Sequence, residues 1–245
     1  IGAGIGSRMA SSQPKVLHSI AGRPMVNHVL ATLTAANIAP VVVVIGPEME
    51  AVAKTVAPHR TVIQKDRFGT GHAALQAKDA LVGFEGDIIV VFGDTPFIGL
   101  ETLHRMRAAR GKGNGAKIKP AVVVLGFSPA NPGAYGRLIV GAGGLERIVE
   151  AKDATPAELS VGLCNAGIML ADARVLWKLL ADVRPDNAKA EYYLTDIVGL
   201  ARKAGLACAV VEGDAEELLG INSRAELAEA EAIFQRAVRR RGMEN

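Results

Sequence analysis

Acidic residues are missing from the first 47 positions of this chain: Arg8, Lys15 and Arg23 occur there, and the first carboxylate is Glu48. The other 198 residues carry 25 basic and 25 acidic side chains, so the formal net charge of +3 belongs entirely to that Gly-rich stretch. A balanced remainder argues against a general nucleic-acid binder, which needs a basic face to release counterions. The local excess marks the N-terminal stretch as a candidate anion site. Cysteine is nearly absent: Cys164 and Cys208 stand alone, with no C-x-x-C pair. That excludes a disulfide scaffold and a structural zinc site, and it fits a reducing compartment. No apolar run approaches the roughly 18 residues that a membrane span requires. No signal peptide is visible in a chain that opens at Ile1 without an initiator Met. Hydrophobic content of 49% and charged content of 22% are those of a globular fold. The 245 residues can bury a core as one large domain or as one plus an appendage.

Short apolar runs alternate with amphipathic stretches, the pattern of an α/β sheet covered by helices. Strands are expected at Val41 to Ile45, Asp87 to Phe92 and Ala121 to Leu125, each a β-branched run ending near a glycine. Helices are expected at Glu48 to Val56 and Thr70 to Leu81. Another should have Pro24 in its first turn, with Val26, Val29, Leu30 and Leu33 on one face. Residues Phe127 to Leu170, shorter in segment and richer in Gly, read as a β-rich insertion over the sheet. Gly111 to Lys119 reads as a solvated basic loop; it lies in a span from Thr102 to Leu145 with seven basic and no acidic residues. An RNA contact there lacks aromatics to stack on bases. The tail from Asn222 reads as a helical arm. Ser223 and Glu226 have capping-box spacing, and Leu227, Ala230, Phe234 and Val238 trace a stripe.

The N-terminal loop Gly2-Ala3-Gly4-Ile5-Gly6-Ser7-Arg8, followed by Pro14-Lys15, can turn backbone N–H groups toward an anion. It is not a Walker A loop, because Gly-Lys-Ser/Thr is missing. It is not a dinucleotide fingerprint either, because the third glycine and the acid about 20 residues on are both missing. A plain strand-to-helix turn is the structural alternative.

The G-x-G-x-R loop with Pro-Lys resembles the signature of sugar-1-phosphate nucleotidyltransferases. Further segments follow in order: Gln64 with Gly69-Thr70-Gly71-His72-Ala73, Phe92-Gly93-Asp94, Tyr135-Gly136-Arg137, and Ile148 to Thr155. Asn165-Ala166-Gly167, Glu191 to Asp196, and Gly220 to Arg224 complete the series. Together, from Ile1 to Asn245, they resemble the uridyltransferase domain of the bacterial bifunctional N-acetylglucosamine-1-phosphate uridyltransferase/glucosamine-1-phosphate acetyltransferase family. Ala190, Gly2 and Phe92 depart from the family's usual Gly, Ala and Tyr.

The resemblance implies a Rossmann-like mixed, mostly parallel sheet with helices on both faces. It implies a nucleotidyltransferase domain over 1–221 and an arm over 222–245. The implied reaction is Mg2+-dependent uridylyl transfer from UTP to N-acetylglucosamine 1-phosphate, giving UDP-N-acetylglucosamine and pyrophosphate for cell-wall precursors in the cytoplasm. By the same token Arg8, Lys15 and Asp94 are catalytic, and Asp94 with Asn222 holds the metal. Ala3, Gly4, Gln64, Gly69, Thr70, Phe92 and Gly93 line the nucleotide, and Gly136, Glu150 and Asn165 the sugar. The family also leads one to expect a strand before Ile1 and, after Asn245, a β-helix that makes the trimer and carries the acetyltransferase. The chain by itself would then be a monomer without that second activity.

Each residue has a structural alternative. Asp94 is also a turn residue able to cap a helix, and Thr70 and Asn222 are possible N-caps. Gln64 is a strand-end amide, though its paired donor and acceptor suit a base edge. Glu150 and Asn165 are a surface charge and a strand-end turn. Tyr192 and Tyr193 are core aromatics or pocket walls, Cys164 is a small packed hydrophobe, and His72 is structural. Two rival functions stand beside this one: transfer to another sugar 1-phosphate such as glucose 1-phosphate, and a non-catalytic relative that keeps the fold.

Overall fold

A computed structural model describes residues 1–4, 9, 11–112 and 119–244. A short ribbon, β1 (Ser19–Ile20) and β2 (Arg23–Pro24), leads into α1 (Met25–Ala35). Pro24 is the residue before that helix, with ψ 139°, and Val26, Val29 and Leu33 are buried on its inner face. A parallel βαβ unit follows: β3 (Val42–Ile45), α2 (Glu50–Thr55) and β4 (Arg60–Ile63). Then come α3 (Thr70–Leu75), β5 (Asp87–Val90), α4 (Leu100–Lys112) and β6 (Val122–Phe127). The hairpin β7 (Arg137–Gly141) and β8 (Gly144–Val149) precedes α5 (Pro156–Leu159) and β9 (Cys164–Asp172). The chain closes with α6 (Ala173–Asp182), α7 (Asp196–Lys203), β10 (Cys208–Glu212), α8 (Ala215–Leu218) and α9 (Arg224–Glu244).

β10 and β6 are parallel, and β9 runs antiparallel to both β6 and β5, so β5, β6 and β10 share one direction. Residues 1 and 2 join the βαβ unit to this sheet. Gly2 N–H donates to the Val44 carbonyl at 2.8 Å, and Ile1 exchanges hydrogen bonds with Val91 O and Gly93 N at 2.6 and 3.0 Å. β6 is buried on both sides, as an interior strand must be. Val122 and Val124 face Leu176 and Leu179 of α6 and Ile197 of α7, whereas Val123 and Leu125 face Leu33 of α1 and Leu103 and Met106 of α4. Helices therefore cover both faces of a mixed sheet. Among the described residues, no helix is long and apolar enough to cross a membrane.

Three local expectations change. The helix over 70–81 is α-helical only to Leu75. After it, the N–H groups of Gln76, Ala77 and Lys78 reach back three residues instead of four, which tightens the chain into successive turns. Gly111 and Lys112 complete α4 instead of opening a loop, and 113–118 lie outside the described residues. The Gly-rich stretch is not a separate insertion: the β7–β8 hairpin extends the main sheet, with Arg137 of β7 opposite Cys164 of β9. β9 enters the main sheet between β5 and β6, because its Ile168-Met169-Leu170-Ala171 run is almost wholly buried.

The C-terminal helix packs back on the fold. Ala230, Leu227 and Phe234 meet Ile20, Met25 and Phe97, and Glu231 accepts from Ala21 N–H at 2.7 Å. Val238, the last member of the expected stripe, is 48% exposed. The Ser223 hydroxyl accepts from Glu226 N–H at 3.2 Å, while the Glu226 carboxylate accepts from Asn222 N–H at 2.6 Å.

Candidate active site

The carboxyl end of β5 runs into Phe92-Gly93-Asp94 beside the N-terminal loop, where open α/β sheets place their ligands. Gly93 lets two segments close on each other: a Cβ there would stand 2.9 Å from Val16. Val16 lies in the short turn Lys15–Leu17 that starts after Pro14, so this contact sets Lys15 next to Asp94. The Lys15 ammonium pairs with the Asp94 carboxylate and also donates to Asn222 Oδ1 at 2.9 Å. The segment bearing Asn222 is tied in by Ile221 N–H donating to Asp94 O at 2.9 Å. Asn222 Nδ2 turns away to Gly220 O at 3.0 Å. Two oxygens from distant parts of the chain thus converge on one cation.

Ala3, Gly4, Lys15, Gln64, Gly69, Thr70, Phe92 and Asp94 line one hollow of about 270 Å3, together with Gly2 and Arg67. Arg67 was not foreseen. Its guanidinium donates to Ala3 O at 3.3 Å, and its sequence position between Gln64 and Gly69 was the available signal. Gly69 has φ +108°, and a Cβ on it would meet Tyr192 O at 2.6 Å. The loop is fixed to the 191–195 segment by three bonds: Gly71 N–H to Tyr192 O at 2.8 Å, Tyr192 N–H to Phe68 O at 2.7 Å, and Leu194 N–H to the Thr70 hydroxyl at 3.0 Å. Thr70 is therefore the first residue of α3, and its hydroxyl serves this junction, not a cap. Arg8 lies outside the described residues.

Gly136, Glu150 and Asn165 form a second group. Asn165 N–H donates to Gly136 O at 2.8 Å, and the Glu150 carboxylate lies beside Gly136. Asn165 Oδ1 accepts from Gly167 N–H at 2.9 Å, leaving its amide nitrogen without a protein partner among the described residues. The loop before Gly136 is held by buried Arg137, which donates to the carbonyls of Tyr135, Gly133 and Leu159. Thr195, 7% exposed, donates to Glu150 at 3.0 Å. It too was missed as an individual residue, although it sits inside the Glu191–Asp196 motif.

Burial raises the Glu150 pKa above the usual carboxylate value against the pull of Thr195 and Lys189, and Asp153 and Glu191 add to the rise. Asp196 is pushed up to about 6 by burial and by Glu150, Asp153 and Asp186. Tyr193 is buried, with its hydroxyl pushed up to about 12 by desolvation. The two groups meet where the Phe92 ring lies against Gly167 and along 191–195. Cys164 and Cys208 are buried and unbridged, and burial raises both thiols. A larger hollow of about 610 Å3 between α1, α9 and residues 96–100 contains none of the expected site residues.

Residues 1–152 match the family described as MobA-like NTP transferase domain, and the chain belongs to that family. Along its full length it is 59% identical to the bifunctional protein GlmU of Rhodospirillum rubrum and 56% identical to that of Paramagnetospirillum magneticum. In each case it covers 54% of the relative, so the chain spans about half the length of the curated relatives it matches. An inositol-1-phosphate CTP transferase from T. maritima superposes with a TM-score of 0.72 at 16% identity, covering 96% of this chain and 92% of that one. A structure described as a glucose-1-phosphate thymidylyltransferase from Bacillus anthracis gives 0.72 at 21%, over 95% and 92%. These two share the fold. The chain is an enzyme of nucleotidyl transfer.

Proposed function

We propose that the chain transfers the uridylyl group of UTP to N-acetylglucosamine 1-phosphate, in the cytoplasm, in the supply of cell-wall precursors. The observation that carries this reading is Lys15 bridging Asp94 and Asn222 at the mouth of a glycine-lined hollow that also holds Gln64. The acid-rich second group supplies acceptors for sugar hydroxyls. Residues 1–221 carry the transfer, and 222–245 act as an arm that contributes Asn222.

A phosphate oxygen of the sugar 1-phosphate attacks the α-phosphorus of UTP, a P–O bond forms, and the bond to the β-phosphate oxygen breaks to release pyrophosphate. The attacking group is already anionic, so the protein needs no covalent nucleophile, only positioning and charge neutralisation. Lys15 and Arg67 bring positive charge to the phosphates, and Arg8 does the same by its place in the loop. The backbone of Ala3 and Gly4 approaches the nucleotide, Gln64 with Gly69 and Thr70 faces the base, and Phe92 walls the hollow. Gly93 sets the close packing behind Asp94. Gly136, Glu150 and Asn165 hold the sugar, with Thr195 orienting the Glu150 carboxylate.

A carboxylate and an amide oxygen that already converge on one ammonium fit a hard cation such as Mg2+, which favours oxygen ligands and retains several waters. Asp94 and Asn222 would hold it, and when bound the ion neutralises charge on the phosphate oxygens. The test is pyrophosphate release from UTP with N-acetylglucosamine 1-phosphate and Mg2+, with glucose 1-phosphate in parallel. Matched release of pyrophosphate and UDP-N-acetylglucosamine is expected; equal or better use of glucose 1-phosphate overturns the sugar assignment, and no release with either overturns the reaction.

A further inference from the structure

Gln64 follows β4, its N–H donating to Ile45 O at 2.8 Å, and it is only 3% exposed. Its amide nitrogen has two hydrogens and two neighbours: Gly69 O at 3.1 Å and His72 Nδ1 at 3.1 Å. Its amide oxygen has no protein partner among the described residues, and the residue lies on the wall of the nucleotide hollow. His72 is not on that wall. Its ring lies against Phe68, centroids 5.4 Å apart, and near Tyr192 at 6.4 Å. Its second nitrogen lies 3.2 Å from the amide nitrogen of Gln76.

A neutral imidazole has one acceptor and one donor, so it cannot accept from both amides. Gln76 lies at the half-exposed end of α3, where water can replace the bond its amide nitrogen makes to His72 O at 3.1 Å, so its amide turns at lower cost than a buried one. For Gln64 the cost is higher: it is buried, and turning its amide would lose His72 and set its oxygen against the Gly69 carbonyl. The buried amide therefore decides. His72 Nδ1 accepts from Gln64, Nε2–H donates, and the Gln76 amide turns its oxygen to meet it.

We propose that His72 is a positioning residue that locks the Gln64 amide with its oxygen alone facing the base, and so sets selection of uracil over cytosine. This deepens the uridylyl-transfer reading and rests on it. Uracil carries a hydrogen on N3 and donates to that oxygen. Cytosine presents a lone pair at N3, which the oxygen repels. Without an acceptor at position 72 only the Gly69 carbonyl still opposes a turn of the amide, so the turned form, whose NH2 meets cytosine N3, becomes easier to reach.

The test compares kcat/KM for UTP and CTP in the wild type, His72→Leu and His72→Asn, with the ring nitrogens of His72 read by 15N NMR on the unliganded wild type at pH 8. His72→Leu is expected to lower the UTP:CTP ratio at least 10-fold, chiefly through better use of CTP. His72→Asn, whose side-chain oxygen restores an acceptor near the Nδ1 position, should stay within about 3-fold of wild type. NMR should show the hydrogen on Nε2. An unchanged ratio in His72→Leu, Asn behaving like Leu, or the hydrogen on Nδ1 each overturns the proposal. Should the wild type use neither nucleotide, the uridylyl-transfer reading fails, and the NMR result still decides how His72 is set.

Discussion

Around Lys15 and Arg67 the chain offers positive charge and bare backbone, whereas around Glu150 it crowds carboxylates. Among the described residues Asp94 is the only acid on the nucleotide wall, and it is already paired with Lys15. On the sugar side burial raises Glu150 and Asp196; Asp153 and Glu191 add to the rise at Glu150, where Lys189 opposes it, and Glu150, Asp153 and Asp186 add to the rise at Asp196. The contrast agrees with the proposed substrates. A triphosphate brings its own negative charge, so the protein supplies cations and N–H groups. Sugar hydroxyls are neutral donors, so the protein supplies acceptors and tolerates the cost of burying them. The segment 191–195 serves both, through Tyr192 and Leu194 on one side and Thr195 on the other.

Changes at the cationic end should have the largest effect. Lys15→Ala removes the charge on which two segments converge. Its kcat/KM for UTP should fall by about 10²–10³, as when a transition-state donor is lost; a fall below 10-fold would mean that Lys15 only holds the apo site together. Gly69→Ala is next, since it forces a side chain into the left-handed region and against Tyr192 O. The unfavourable backbone alone costs about 1–2 kcal/mol, which lowers Tm by roughly 2–8 °C in a chain of this size. The KM for UTP should rise with it, and calorimetry plus kinetics checks both.

On the acid-rich side, Glu150→Gln should raise the KM for N-acetylglucosamine 1-phosphate about 10-fold, the loss of one charge-assisted hydrogen bond. Asp196→Asn should change stability instead. The folded-state pKa is raised from the ordinary 3.8 to about 6, so the folded protein binds this proton more tightly than the unfolded chain. The stability this provides is fully present below about pH 4 and is lost as pH rises through 6. The variant should therefore melt higher than wild type at pH 8 and gain nothing at pH 4. A parallel shift at both values would refute the buried-charge account. The smallest effect belongs to Ala190→Gly. Ala190 sits at φ 51°, where glycine is unstrained, and relief of about 1 kcal/mol is partly offset by the greater freedom of glycine when unfolded. A Tm gain of at most about 3 °C is expected.

Strands β3, β5 and β6 were legible because buried strands need unbroken β-branched runs, and those runs are local. The order of the sheet was not, because β9 enters between β5 and β6 from far along the chain. The Lys15–Asp94–Asn222 convergence joins residues separated by up to 207 positions, and only the motif series foretold that they belong together. Arg67 escaped notice because an arginine in a loop has no spacing signature. The pairing of His72 with Gln64 depends on which way a side-chain amide faces, which no sequence pattern encodes.

The division of labour between the two ends is tested most directly by measuring both KM values in Gly69→Ala and Glu150→Gln. The account predicts a crossed pattern: the first variant raises the KM for UTP alone, and the second raises that for N-acetylglucosamine 1-phosphate alone. If both variants raise the same KM, the two ends are one undivided site and the account is wrong.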